Sequence, residues 1–153
     1  MKTRTYILGT IVTLLVALWV YTAVVKLGNM AYNMDTMRKQ LFPVWASDFL
    51  AYLVPIGALG TAGLLLYRVR WGLWASVALL SSFSAYIVVY LTEIYKKQTC
   101  SCAGIFASLD YSGHLIFNLC MLVITGIGLY MNYNIQRGEA ENRQPSRQYN
   151  TNL

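Results

Sequence analysis

The chain has 153 residues, of which 57% are hydrophobic and 12% charged. Soluble domains carry about 25% charged residues, so this composition excludes an ordinary soluble globular fold. The formal net charge of +6 gathers at the ends of long apolar runs. That distribution argues against a nucleic-acid-binding surface and for the bias of basic residues toward one side of a bilayer.

A helix needs roughly 20 mainly apolar residues to cross the hydrocarbon layer. The runs here predict an all-α, integral membrane four-helix bundle over residues 1–133, followed by a polar, mobile cytoplasmic tail over residues 134–153. The first span covers residues 6–28. Lys2 and Arg4 precede it as in a signal peptide, but the run exceeds the ~7–15 residues of a signal core. No small-residue cleavage site follows, so it reads as a retained helix. Lys26 near its far end can snorkel toward the headgroups or pair inside the bundle. Residues 29–47 are mixed in character, and Leu41, Phe42, Val44 and Trp45 suit a short interfacial helix.

The second span covers residues 48–67. Pro55 predicts a local kink. Gly57, Gly60 and Gly63 predict close contact with another helix. After the short turn Arg68-Val69-Arg70, the third span runs over residues 71–95 and carries Ser76, Ser81, Ser82 and Ser84 as a small polar face. A loop over residues 96–111 leads to the fourth span, residues 112–133.

Four spans put both termini on one side together with the Arg68–Arg70 turn. That side has seven basic and two acidic residues, whereas the other has four of each, with Lys26 apart. The excess favours cytoplasmic termini. Cys100 and Cys102 then lie outside the cytoplasm, which in a bacterium is the periplasmic face of the inner membrane, where disulfides persist. Tyr and Trp side chains near span ends fit interfacial belts.

Cys100-Ser101-Cys102 is the sharpest local signal. Two thiols one residue apart can close a strained ring that exchanges readily. Lys96 and Lys97 favour a thiolate if the fold brings them near. The alternatives are a structural bridge, two unlinked thiols, or, with His114, a soft-metal site. His114 at the start of the fourth span can donate to a thiolate or carry a proton, or simply bond a backbone carbonyl. Asn118, one turn further in, shares its face and is expected to find a partner in the bundle. Cys120 is expected to be a small buried hydrophobe.

These features together resemble the MauE group of small four-helix membrane proteins and its DoxX-like relatives. The resemblance rests on Tyr21-Thr22-Ala23 with Lys26-Leu27, Gln40-Leu41 with Pro43, and Pro55 with the small residues after it. It rests most on Cys100-Ser101-Cys102-Ala103-Gly104 and His114-Leu115-Ile116-Phe117-Asn118. Ala103 stands where the family often has a second glycine, and Gly57-Ala58 where an acidic residue often follows the proline. The resemblance implies a maturation helper that works with a thioredoxin-like partner. It is also similar in architecture to the helical core of vitamin K epoxide reductase-like enzymes, which pass electrons between thiols and quinone. On that footing Cys100 and Cys102 are the redox pair, His114 and Asn118 their support, and quinone a candidate cofactor. The competing expectation is a non-catalytic assembly subunit of a membrane or envelope protein complex. In both cases the partners are the lipid bilayer and another protein, with no nucleic acid.

Overall fold

Inside a bilayer every peptide group must find its partner within the protein, which leaves the helix as the solution for long apolar runs. The computed structural model describes residues 2–38, 43–91 and 111–150. Those residues form α1 (Lys2–Gly28), α2 (Met30–Arg38), α3 (Val44–Tyr67), α4 (Val69–Leu91) and α5 (Tyr111–Asn150). Four stretches are long and apolar enough to cross a membrane: Thr3–Gly28, Val44–Tyr67, Val69–Val89 and Gly113–Gly138. The chain is a multi-pass membrane protein with an all-α, four-helix bundle fold. A short helix, α2, does precede the second span, but not with the expected apolar edge: Val44 and Trp45 open α3, and Leu41 and Phe42 lie outside the described residues.

The last helix does not stop at residue 133. Its backbone stays helical through Asn150, because extending an existing helix costs far less than starting one. Gln136, Arg137, Glu139, Ala140 and Glu141 are also good helix formers.

Around the bundle the helices follow the cyclic order α1, α3, α4, α5, with α2 lying against α3. The core is a stripe of α1 positions about one turn apart, Ile11, Leu15, Trp19 and Ala23. It meets Ala58, Ala62 and Leu65 of α3, Leu73 and Leu80 of α4, and Met121 of α5. Apolar residues also cover the outside, including Leu14, Val24, Ile56, Leu66, Val123 and Ile127. Lipid solvates that surface, so close packing and polar ties, more than hydrophobic burial, hold the helices together. One such tie crosses the bundle: Trp19 Nε1 donates to Ser76 Oγ at 2.9 Å, buried between α1 and α4. The same indole packs in a tilted arrangement on Phe83, ring centroids 6.5 Å apart.

Only Arg68 separates α3 from α4. So short a turn forces the two backbones together where they meet. A Cβ placed on Gly72 would lie 2.5 Å from the backbone of Leu65, so this position has no room for a side chain. Gly128 is looser, with Ile11 Cγ2 at 3.1 Å from such a Cβ.

Three expectations are corrected here. Gly57, Gly60 and Gly63 do not mediate a close helix contact among the described residues, since a Cβ at each would meet nothing within 4 Å. The inward positions of α3 are Ser47, Ala51, Pro55, Ala58, Thr61, Ala62 and Leu65, and the glycines are not among them. The serines of α4 do not share one polar face either: Ser76 and Ser84 are buried, whereas Ser81 and Ser82 face outward, with Ser82 Oγ donating to Ala78 O at 2.8 Å. Cys120 is exposed rather than buried. The inward positions of α5 are His114, Met121, Thr125, Gly128 and Asn132, and residue 120 lies one helical step, about 100°, away from Met121.

Candidate functional site

Pro55 has no amide hydrogen, so the carbonyl four residues earlier loses its helical donor. That carbonyl belongs to Ala51, deep in the bundle. Its replacement donor comes from α2: Asn33 Nδ2 bonds Ala51 O at 3.1 Å. The other end of the same amide, Asn33 Oδ1, accepts from Lys26 Nζ at 3.3 Å. A proline on α3 thus orients an asparagine on α2, which in turn holds a lysine on α1. Asn33 is only 4% exposed and Lys26 5%. Lys26 therefore points into the bundle instead of snorkelling outward.

This chain of contacts sits where α1 ends, α2 lies and α3 begins. Further polar groups are buried toward the same end: Ser47 in the first turn of α3, and His114, only 8% exposed, near the start of α5. Ser84, on the C-terminal half of α4, buries an Oγ that has no hydrogen-bond partner among the described residues. Across α2 and α3, Arg38 grips Asp48 with two parallel bonds, Nε to Oδ1 at 2.7 Å and Nη2 to Oδ2 at 2.8 Å. The hydrogen bonds to Asp48, and then its charge, raise the Arg38 pKa further and fix the guanidinium as a permanent cation. This fork fastens α2 over the end of the bundle.

Four site residues were expected from the sequence. Cys100 and Cys102 lie outside the described residues, in the connection that leaves α4 at Leu91 and enters α5 at Tyr111. His114 is buried close to that point of entry. Asn118 lies one turn further along α5 and is half-buried. The two share a face, but no hydrogen bond joins them. Among the described residues no three His, Cys, Asp or Glu side chains converge as a metal site would require.

Asn33 was not anticipated, although part of its signal is in the sequence. Pro55 announces that the Ala51 carbonyl needs an outside donor, and a polar segment just before the span is where one could be found. What the sequence could not supply is the packing of α2 against α3 that selects Asn33.

A buried ammonium favours negative charge nearby, and a neutral imidazole offers one ring nitrogen as donor and the other as acceptor. Both lie at the end of the bundle from which the cysteine-bearing connection departs. The family described as Methylamine utilisation protein MauE matches residues 4–131, from α1 well into α5. No curated protein and no solved structure matches. The match reaches into all four spans and takes in the Lys26–Asn33–Ala51 relay, the paired cysteines and His114, and by it the chain belongs to the methylamine utilisation protein MauE family.

Proposed function

We propose that this protein is an inner-membrane thiol–disulfide redox or maturation protein, with cytoplasmic termini and a periplasmic Cys100–Cys102 segment that exchanges with a thioredoxin-like partner. Family membership supports a general redox or maturation role. The observation that carries the reading is the buried polar relay of Lys26, Asn33 and the Ala51 carbonyl. Together with buried His114, it occupies the bundle end from which the cysteine pair is tethered. Few spans bury a lysine and a histidine at one end without a use for them, because intramembrane ionisable groups are costly.

In the proposed exchange a partner thiolate attacks one sulfur of the Cys100–Cys102 disulfide. One S–S bond breaks, a mixed disulfide forms, and the other sulfur leaves as a thiolate. The partner's second thiolate then displaces this protein's sulfur, so the partner gains a disulfide and Cys100 and Cys102 end as a dithiol. Reoxidation removes two electrons and two protons to an acceptor of the quinone class. His114 is assigned to proton transfer at this end, Asn118 to its support, and Lys26 to favouring the thiolate.

The test is to trap the mixed disulfide. Cys100→Ser and Cys102→Ser variants are each expressed with a periplasmic thioredoxin-like protein, and covalent adducts are read by mass under non-reducing conditions. A covalent adduct through the remaining cysteine is expected from at least one single variant and none from the double variant. Failure of both thiols to react in the folded protein would remove the proposal.

One observation favours a second reading, that of a structural or assembly subunit. Gly57, Gly60 and Gly63 lie on α3 with open space before them, as a surface for docking another membrane helix would be. Under this reading, replacing both cysteines with serine leaves the partner complex intact and active.

A further inference from the structure

At the opposite end of the bundle, two adjoining clefts of about 330 and 300 Å³ open between the start of α4 and the second half of α5, and both are lined by Arg70, Asn132 and Gln136. Arg68 and the first turn of α4 complete the smaller one. Trp74, Leu129 and Tyr130 wall the larger one. Three features of this place point to an anion. Arg68 and Arg70 are exposed and make no ion pair among the described residues. The first amide of α4 to find a backbone acceptor across the turn is Gly72 N–H, bonded to Arg68 O at 3.0 Å. The amides of Val69, Arg70 and Trp71 are thus left as the open donors of a helix N-terminus, a ready anion site.

The third feature is independent of the helix end. Asn132 is 93% buried, at 7% exposure, and its amide has no hydrogen-bond partner among the described residues. It lines both clefts, so the part of its carboxamide that the bundle leaves open faces them. A bound oxygen acceptor and donor would satisfy it.

We propose that this groove binds the phosphate of an anionic phospholipid from the surrounding bilayer. Arg68, Arg70 and the first-turn amides of α4 take the phosphate oxygens. The Asn132 amide donates to a phosphate or glycerol-ester oxygen, and the acyl chains run down the apolar wall of Trp74 and Leu129. That wall, continuous with the lipid-facing surface, favours a lipid over a free phosphate ion. The site lies at the far end of the bundle from the Lys26 cluster and does not depend on the redox reading.

The test is native mass spectrometry of the full chain in detergent, with dioleoyl phosphatidylglycerol, dioleoyl phosphatidylcholine or inorganic phosphate added. Phosphatidylglycerol is expected to be retained about tenfold better than phosphatidylcholine, and R68Q/R70Q to lose about that factor, consistent with the loss of charge-assisted bonds. Millimolar inorganic phosphate is expected not to displace it. N132L should weaken retention as well. Because Arg68 and Arg70 are exposed, their variants keep the test valid even if N132L does not fold. Equal retention of the two lipids, or full retention by R68Q/R70Q, would overturn the proposal. Displacement by inorganic phosphate would do so too, by assigning the groove to a free anion.

Discussion

Asn33 uses both ends of its amide at once, and each end answers a need created elsewhere. Its Nδ2 satisfies the carbonyl orphaned by Pro55, and its Oδ1 meets a buried ammonium. Replacing it by leucine removes both bonds and leaves two polar groups underserved in a dry place. Asn33→Leu is expected to destabilise the bundle by about 1–3 kcal/mol, measured by reversible unfolding in mixed detergent. Pro55→Ala returns an amide hydrogen to α3 and gives the Ala51 carbonyl a helical donor again. In that background Asn33→Leu should cost less, so the double-mutant cycle should show coupling between residues 22 apart in sequence. Strict additivity would mean that Pro55 does not create the need for Asn33. Similarly, Ser76→Ala strips the acceptor from the Trp19 indole and should cost about 0.6–2 kcal/mol, the range seen for polar ties between membrane helices.

At the scale of helices, two glycines on neighbouring elements make opposite predictions. Gly72 faces the backbone of Leu65 at a distance no Cβ tolerates, so Gly72→Ala must pry α3 from α4 and should cost about 1–3 kcal/mol or more. Gly60 faces open space, and Gly60→Ala should leave the melting temperature of the monomeric bundle unchanged or raise it slightly, since alanine is the better helix former. Thermal unfolding of the two variants side by side separates these outcomes. Helix positions were largely legible because a long apolar run in oil has one solution. Helix rotation was not. Gly57, Gly60 and Gly63 resemble a packing stripe by spacing, and Ser81 and Ser82 resemble part of a polar face. Since the outer surface is apolar as well, hydrophobicity does not mark which side of a membrane helix turns inward. For the same reason Cys120 was expected inside and lies outside.

For the molecule as a whole, the bundle has two chemically different ends. One buries Lys26, Asn33, Ser47 and His114 and tethers the segment that bears Cys100 and Cys102. The other exposes Arg68 and Arg70 beside an unpartnered amide. The paired cysteines and His114 stood out in the sequence because their residue types carry chemistry wherever they occur. The lysine–asparagine relay did not, because it is assembled from three helices and has no local pattern. The account's central claim, that Cys100 and Cys102 form an exchangeable redox couple, is tested most directly by titrating the purified protein against a thiol–disulfide buffer and reading both cysteines by mass after alkylation. The account predicts a reversible two-electron transition well above about −300 mV. A pair that stays oxidised below that potential, or two thiols that never join, would contradict it.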